Sequence, residues 1–169
     1  MPGTTIYAQG SLQTPTFSAV LDALHVNADG SLTQIGTPFS FPSPFGDGDG
    51  PIAVDPKGRW VFAMVAGNGA EIIQPVLRNA DGSLGAAAAT AVNISDQKCN
   101  SNIVATNIAI DPQGKNLFVS CNPSGTSTFE GIQVYGINQT TGGLSRINSF
   151  ATQHLFEALS SDRQGWRVF

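Results

Sequence analysis

A short stretch that occurs twice constrains the fold of this chain more than any other feature. The sequence IAVDPKGRWVF at 52–62 is repeated as IAIDPQGKNLF at 108–118. Each copy predicts a strand, a tight Asp-Pro-x-Gly turn and a second strand, because proline presets φ at the second turn position and glycine accepts a positive φ at the last. The first strand of each copy is apolar at successive positions, which is typical of a strand covered on both faces.

A second turn signature alternates with the first. The sequence NADGSL occurs at 27–32 and again at 79–84, and NQTTGGL at 138–144 is a looser copy. Asp-Gly and Gly-Gly pairs between strand-like runs mark hairpins. Each repeat therefore has four strands: A and B flank the Asp-Pro-x-Gly turn, and C and D flank the second turn. The repeat recurs about every 55 residues, and four-stranded repeats of similar length are typical of β-propeller blades.

We therefore expect an all-β fold, a β-propeller fragment of about three four-stranded antiparallel blades that form one domain. The expected units are strands B–D of a first blade, two whole blades and the start of a fourth, at 3–44, 50–95, 103–151 and 154–169. Three blades are too few to close around a channel, since closed propellers have about four to eight. The sequence is compatible with a piece of a longer propeller and also with two copies that exchange strands to close a ring. The chain by itself is expected to have open edges at Ile6 and Val168, where unpaired strands favour self-association.

The composition excludes several functional classes. Lys and Arg number only eight and are scattered, so no surface for nucleic acid is predicted. No apolar run approaches the roughly 20 residues of a membrane span. The sequence has no GxSxG elbow, HExxH motif, P-loop or dinucleotide fingerprint, so we expect no cofactor and no resident metal.

The blade pattern resembles that of the seven-bladed lactonase propellers. The resemblance is carried by the IAVDPKGRWVF turn, the ADGSL or TTGGL turn and an apolar C strand such as GIQVYGI at 131–137. This family includes propeller-type 6-phosphogluconolactonases, and YVTN-type surface propellers share much of the repeat. The resemblance implies hydrolysis of a sugar lactone, with a small-molecule lactone or sugar acid bound in a funnel at one channel mouth. The alternative is a propeller that binds a ligand or a protein there without chemistry.

The resemblance also suggests two catalytic residues, in the loop and strand start that begin the fourth unit. Family members often have a histidine near the position of His154, where it would act as general base on a water that attacks the lactone carbonyl. Glu157 would orient the imidazole. The proline that usually adjoins this histidine is absent from the local sequence QHLFE. A loop histidine without a catalytic role is the alternative interpretation.

Two further loops supply candidate ligand-binding residues. Asp47 and Asp49 precede strand A of the second blade, where carboxylates suit a ligand, a calcium ion or a general base, although Asp-Gly pairs also form ordinary turns. Asn102 and Asn107 lie in the longest connection of the repeat, between the second and third blades. Their amides would hydrogen-bond a sugar or an acid, and a plain surface loop is the alternative.

Cys99 and Cys121 are the two cysteines of the chain and are candidates for a disulfide. A disulfide would pin the long connection and indicate a periplasmic or extracellular location. Free buried cysteines are also common and would be compatible with the cytoplasm. The sequence leaves both interpretations open.

Overall fold

The fold consists of antiparallel β-sheets joined by turns. The computed structural model describes residues 4–12, 18–42, 50–67, 70–94, 107–121 and 131–151. Within these ranges the chain forms three consecutive antiparallel sheets and no helix, so no described segment is a helix that could cross a membrane. The expected all-β fold is confirmed, and the arrangement is consistent with three consecutive propeller blades.

Each sheet follows the predicted order of strands. The first contains β1 (Thr4–Leu12), β2 (Ser18–Val26), β3 (Leu32–Gln34) and β4 (Phe39–Ser40). The second contains β5 (Ile52–Val54), β6 (Trp60–Gly67), β7 (Ala70–Arg78), β8 (Leu84–Ala87) and β9 (Val92–Asn93). The third contains β10 (Asn107–Ile110), β11 (Asn116–Cys121), β12 (Gly131–Ile137) and β13 (Leu144–Ala151). Strand A of the repeat corresponds to β5 and β10 in the second and third sheets. Strand B corresponds to β1, β6 and β11 in the three sheets, and strand C to β2, β7 and β12.

The Asp-Pro-x-Gly turns join strands A and B as the sequence predicts. The Gly58 amide donates to the Asp55 carbonyl at 2.7 Å, and the Gly114 amide donates to the Asp111 carbonyl at 2.9 Å. Both glycines have positive φ, 69° and 66°. The turn is therefore specified locally, because only glycine adopts this backbone region without strain.

Pro75 breaks the regularity of the second sheet. It lies inside the central strand β7, opposite Phe62, and has no N–H to donate. The register between β7 and β8 shifts between Val76 and Arg78, and strand D is divided into β8 and β9, which both pair with β7. A proline in an inner strand is thus accommodated by an irregular outer strand.

Strand β6 belongs to the apolar layers on both sides of the second sheet. Side chains alternate along a strand, so Val61, Ala63 and Val65 pack towards the first sheet while Trp60, Phe62 and Met64 pack towards the third. The layer on the first side includes Ala19, Leu21, Ala23 and Phe41, and the layer on the other side includes Ile108, Leu117, Val119 and Tyr135. The core of the molecule therefore lies between the sheets, as blade packing requires.

The C–D turns also contact the preceding sheet. A Cβ added to Gly82 would lie 2.6 Å from the Thr5 hydroxyl, and one added to Gly142 would lie 3.0 Å from the Trp60 ring. Thr5 and Trp60 occupy equivalent positions near the start of strand B. The corresponding glycine of the first sheet, Gly30, has nothing within 4 Å of its added Cβ. Two of the three turns therefore need glycine for close packing as well as for backbone geometry.

Replacement of these glycines should separate packing from backbone strain. Gly30 and Gly142 both have positive φ, 83° and 74°, so alanine at either position adds about 1 kcal/mol of strain. Gly142→Ala must also displace the buried Trp60 side chain, which adds about 1–3 kcal/mol. In urea-induced unfolding we expect the free energy of unfolding to fall clearly more in Gly142→Ala than in Gly30→Ala. Equal losses in the two variants would contradict the packing role of this turn.

A buried polar pair lies between the second and third sheets. The Tyr135 hydroxyl donates to Gln133 Oε1, and both side chains are fully buried. Both residues lie on the face of β12 that packs towards β6. Burial away from water raises the pKa of Tyr135 to about 12, because the phenolate would lose its hydration. The tyrosine therefore stays neutral and acts as a hydrogen-bond donor inside the core.

The raised pKa of Tyr135 predicts a loss of stability in alkali. Its contribution is complete below the ordinary pKa of 10.0 and is lost as the pH rises towards about 12, which corresponds to about 3 kcal/mol. Tyr135→Phe loses about 1 kcal/mol at pH 7 with the hydrogen bond to Gln133, but it cannot ionise. We expect the variant to lose less stability than the wild type between pH 9 and pH 11.5 in urea titrations. Parallel pH profiles would contradict this assignment.

Candidate functional site

The two ends of the sheets differ in the way the chain connects them. One end, the turn rim, holds the A–B turns at 55–58 and 111–114 and the C–D turns at 27–31, 79–83 and 138–143. The opposite end, the loop rim, is where β5, β7, β10 and β12 begin. Connections between sheets reach the loop rim, so this is the end at which the lactonase resemblance implies a funnel.

On the turn rim, the carboxylate of Asp55 is occupied by its own turn. Its side chain is fully buried and accepts hydrogen bonds from Arg59 Nε at 2.7 Å, from Arg59 Nη2 at 3.1 Å and from the Arg59 backbone amide at 3.1 Å. The guanidinium also lies over the Trp60 ring, 3.9 Å from its centroid. In the third sheet, Asp111 accepts from the amides of Lys115 and Asn116 in the same way.

Gln139 links the turns of the second and third sheets. Its Nε2 donates to the carbonyl oxygens of Gly114 at 2.7 Å and Ile137 at 2.9 Å. Its Oε1 accepts from Lys57 Nζ at 3.0 Å, and its backbone carbonyl accepts from Arg59 Nη1 at 3.1 Å. A single side chain thus joins both A–B turns to a C–D turn, and it has no remaining donor for a ligand.

The other aspartates of this rim stabilise the C–D turns. Asp29 accepts from the Ser31 hydroxyl at 2.7 Å and the Ser31 amide at 3.0 Å. Asp81 does the same with Ser83, at 2.7 Å and 2.9 Å. Hydrogen bonds from the serine side chain and then from its backbone amide hold the pKa of each aspartate below its ordinary value. The polar side chains described here therefore make hydrogen bonds that stabilise the turns of the turn rim.

The structural role of the turn rim can be tested with two aspartates. Asp55→Ala removes a buried acceptor from three donors of Arg59, and we expect the free energy of unfolding to fall by about 2 kcal/mol. Asp29→Ala removes the same kind of residue from an exposed turn, so its effect should be much smaller. Urea titrations of both variants measure the difference. If the two variants are equally stable, the buried ion pair does not hold the rim together.

At the loop rim lies a buried carboxylate that the sequence patterns did not indicate. Glu71 is only 5% exposed and lies one residue into β7, opposite Ala66. Its backbone carbonyl accepts from the Ile94 amide at 2.9 Å. Alternation along β7 directs its side chain to the same face as Ile73, towards the third sheet. The signal in the sequence is a charged residue in an otherwise apolar strand, since Lys, Glu, Arg and Asp are almost never buried unless paired.

Gln9 is a second polar residue that the sequence analysis did not single out. Its Nε2 donates to the Met64 carbonyl at 2.7 Å, which joins β1 of the first sheet to β6 of the second. Gly50 lies against the same carbonyl, where an added Cβ would be only 2.0 Å away. The Gln9 Oε1 atom is buried and has no hydrogen-bond partner within the described ranges. The amide is therefore positioned by its nitrogen and retains an unused acceptor.

Asn107 and Cys121 are the predicted site residues that the structure describes, and it brings them close together. Asn107 begins β10, is half-buried and pairs with Ser120, whose hydroxyl donates to the Asn107 carbonyl at 3.3 Å. Cys121 follows Ser120 at the end of β11, is fully buried and is disulfide-bonded. The other predicted residues lie outside the described residues: Asp47, Asp49, Cys99, Asn102, His154 and Glu157. The edge expected at Val168 also lies outside them.

The described part of the chain contains no cluster of three or more His, Cys, Asp or Glu side chains suited to a metal ion. Polar side chains that lie in the half of the sheets nearest the loop rim include the buried carboxylate of Glu71 and the amides of Gln9 and Asn107. Groups of this kind bind hydroxyl and carboxyl groups by hydrogen bonds.

The solved structures that are similar to this chain include the following two. A protein of Bacteroides fragilis NCTC 9343, proposed to be a 6-phosphogluconolactonase, matches with a TM-score of 0.60 and 21% identity over 88% of this chain and 38% of its own. A protein of unknown function from Desulfotomaculum acetoxidans DSM 771 matches with a TM-score of 0.56 and 21% identity, over 88% of this chain and 43% of its own.

The chain thus spans less than half the length of either structure. At this level of identity the similarity establishes the fold, and a shared fold does not by itself establish a shared reaction. No protein-family model matches the sequence, and no curated protein matches it.

Proposed function

We propose that this protein belongs to the lactonase-type propellers and hydrolyses a sugar lactone of the 6-phosphogluconolactone kind at its loop rim. The observation that carries the proposal is the similarity in fold to the Bacteroides fragilis protein over 88% of the chain. The repeat, with its IAVDPKGRWVF and ADGSL turns, supports it independently. The choice of the loop rim is supported by the turn rim, where polar side chains already make hydrogen bonds within the protein.

The reaction needs an activated water and little else. Water adds to the lactone carbonyl carbon, the bond from that carbon to the ring oxygen breaks, and the ring oxygen takes a proton as the acid is released. In this proposal His154 is the general base that removes the proton from water, and Glu157 orients its imidazole. The histidine then returns a proton to the leaving ring oxygen, so no metal or redox partner is required.

Binding of the substrate would fall to the amides and carboxylates at the same rim. The assignment of Asn107 to this role is supported by its position at the start of β10, a strand that begins at the loop rim. Asp47, Asp49 and Asn102 precede strands A in the sequence and are proposed to contribute further hydrogen bonds to hydroxyl groups. Gln9 is added to this set because its buried Oε1 lies in that half of the sheets.

The two histidines of the chain allow a matched test of this function. A closed propeller that contains this chain is expected to hydrolyse 6-phosphogluconolactone above the spontaneous rate, as measured by acid release in a weakly buffered indicator assay. The isolated chain is expected to show little or no activity, because three blades do not close around a channel. His154→Ala should lower the enzymatic rate by about 100-fold or more, the usual contribution of a general base. His25→Ala is the control, because His25 lies within β2 opposite Thr5 and at the turn-rim end of that strand.

Three results would contradict the proposal. The first is hydrolysis by the closed propeller that is no faster than the spontaneous reaction. The second is an equal loss in the His154 and His25 variants, which would indicate general destabilisation. The third is calorimetric binding of 6-phosphogluconate without turnover of the lactone, which would favour the non-catalytic binding propeller.

A further inference from the structure

The sequence contains two tripeptides of the type that accept N-linked oligosaccharides. They are Asn93-Ile94-Ser95 and Asn138-Gln139-Thr140, and neither has proline in the middle position. Such tripeptides are frequent, so the sequence alone does not distinguish a modified asparagine from an incidental one. The structure places the two asparagines in very different surroundings.

Asn138 lies on an exposed turn with its side chain held in one orientation. It begins the C–D turn of the third sheet, where its amide donates to the Gly143 carbonyl at 2.8 Å and its carbonyl accepts from Gly142 at 2.9 Å. Its Oδ1 accepts from the backbone amides of Thr140 at 2.9 Å and Thr141 at 3.1 Å. Its Nδ2, the atom that would carry a sugar, makes no hydrogen bond to another described residue.

The third residue of this tripeptide is equally accessible. Thr140 is exposed, and only its backbone amide takes part in the turn. Its hydroxyl, which the acceptor sequence requires, is therefore dispensable for the fold. The neighbouring Gln139 holds the turn against the second sheet by accepting from Lys57, and against the A–B turn of its own sheet by donating to Gly114, so a large group on Asn138 would extend from a fixed surface.

Asn93 is a poor acceptor by comparison. It is half-buried in β9 and pairs with Ile72 of the central strand. The next residue, Ile94, is fully buried and donates its amide to the Glu71 carbonyl at 2.9 Å. An oligosaccharide at Asn93 would have to fit where strand D packs on β7, whereas glycosylated asparagines occupy surfaces.

The disulfide of Cys121 provides a second, independent observation. Disulfides form and persist in oxidising compartments such as the lumen of the endoplasmic reticulum. N-linked oligosaccharides are carried by secreted proteins, which pass through that compartment. A chain that forms this disulfide in a eukaryotic cell is therefore exposed to the modifying machinery.

We infer that Asn138 is a site of N-linked glycosylation and that Asn93 is not. The donor is a lipid-linked oligosaccharide pyrophosphate. A bond forms between Asn138 Nδ2 and the anomeric carbon of the sugar, the bond from that carbon to the pyrophosphate oxygen breaks, and the amide nitrogen loses a proton as the lipid pyrophosphate leaves. The site is on the turn rim, so the glycan leaves the loop rim free, and the inference does not depend on lactone hydrolysis.

The experiment uses the whole chain directed into the secretory pathway of yeast. Secreted and cell-associated protein are both collected, treated with peptide-N-glycosidase in ¹⁸O-labelled water, reduced and digested with trypsin. Trypsin releases the two candidates in separate peptides, 79–98 and 116–146. We expect labelled aspartate at position 138 and unlabelled asparagine at position 93 in mass spectra.

Matched variants distinguish the site from a general effect on secretion. Thr140→Ala should abolish the label at position 138 and Thr140→Ser should retain it, while Ser95→Ala should change nothing. Thr140→Ala keeps the backbone amide that bonds Asn138, so its thermal midpoint should stay close to that of the enzymatically deglycosylated wild type, which carries aspartate at position 138. Unmodified Asn138 in both fractions, modification of Asn93 instead, or a label that persists in Thr140→Ala would each overturn the inference.

Discussion

The burial of both faces of β6 is the constraint on which the rest of the structure depends. Six successive residues, from Trp60 to Val65, are buried, and alternate ones pack on different sheets. Each large apolar side chain buried in this way contributes about 1.5–3 kcal/mol. The second sheet therefore requires a neighbour on each side, which is the condition that arranges four-stranded units one after another.

The packing of neighbouring sheets also explains how the turns of the turn rim are held in place. At the end where tight turns join strands of one sheet, the C–D turn of the third sheet contacts the preceding sheet, as Gly142 does with Trp60 and Gln139 with Lys57. Aspartates at this end are engaged by Arg59 or by neighbouring serines. Hydrogen bonds within the fold thus engage these polar groups of the turn rim, and the site that we propose lies at the other end.

Much of the fold could be predicted because its signals are local and repeated. Proline and glycine in the Asp-Pro-x-Gly turns specify the A–B hairpins, and Asp-Gly pairs specify the C–D hairpins. The candidate site was less accessible to such reasoning. Asn107 was predicted from its position in a long connection, whereas Glu71 and Gln9 were not predicted, because their burial depends on sheets that are distant in sequence.

The sequence by itself determined the strand order, the turn types and the all-β class, since each follows from the backbone preferences of a few residues. Tertiary structure decided which faces of the strands are covered by a neighbouring sheet and which polar side chains are buried. It directed Tyr135 and Gln133 into the core as a hydrogen-bonded pair, and it left Asn138 exposed while half-burying Asn93. The reason is physical: a turn is specified by neighbouring dihedral angles, but burial depends on contacts between residues about 50 or more positions apart, as in the packing of repeated units.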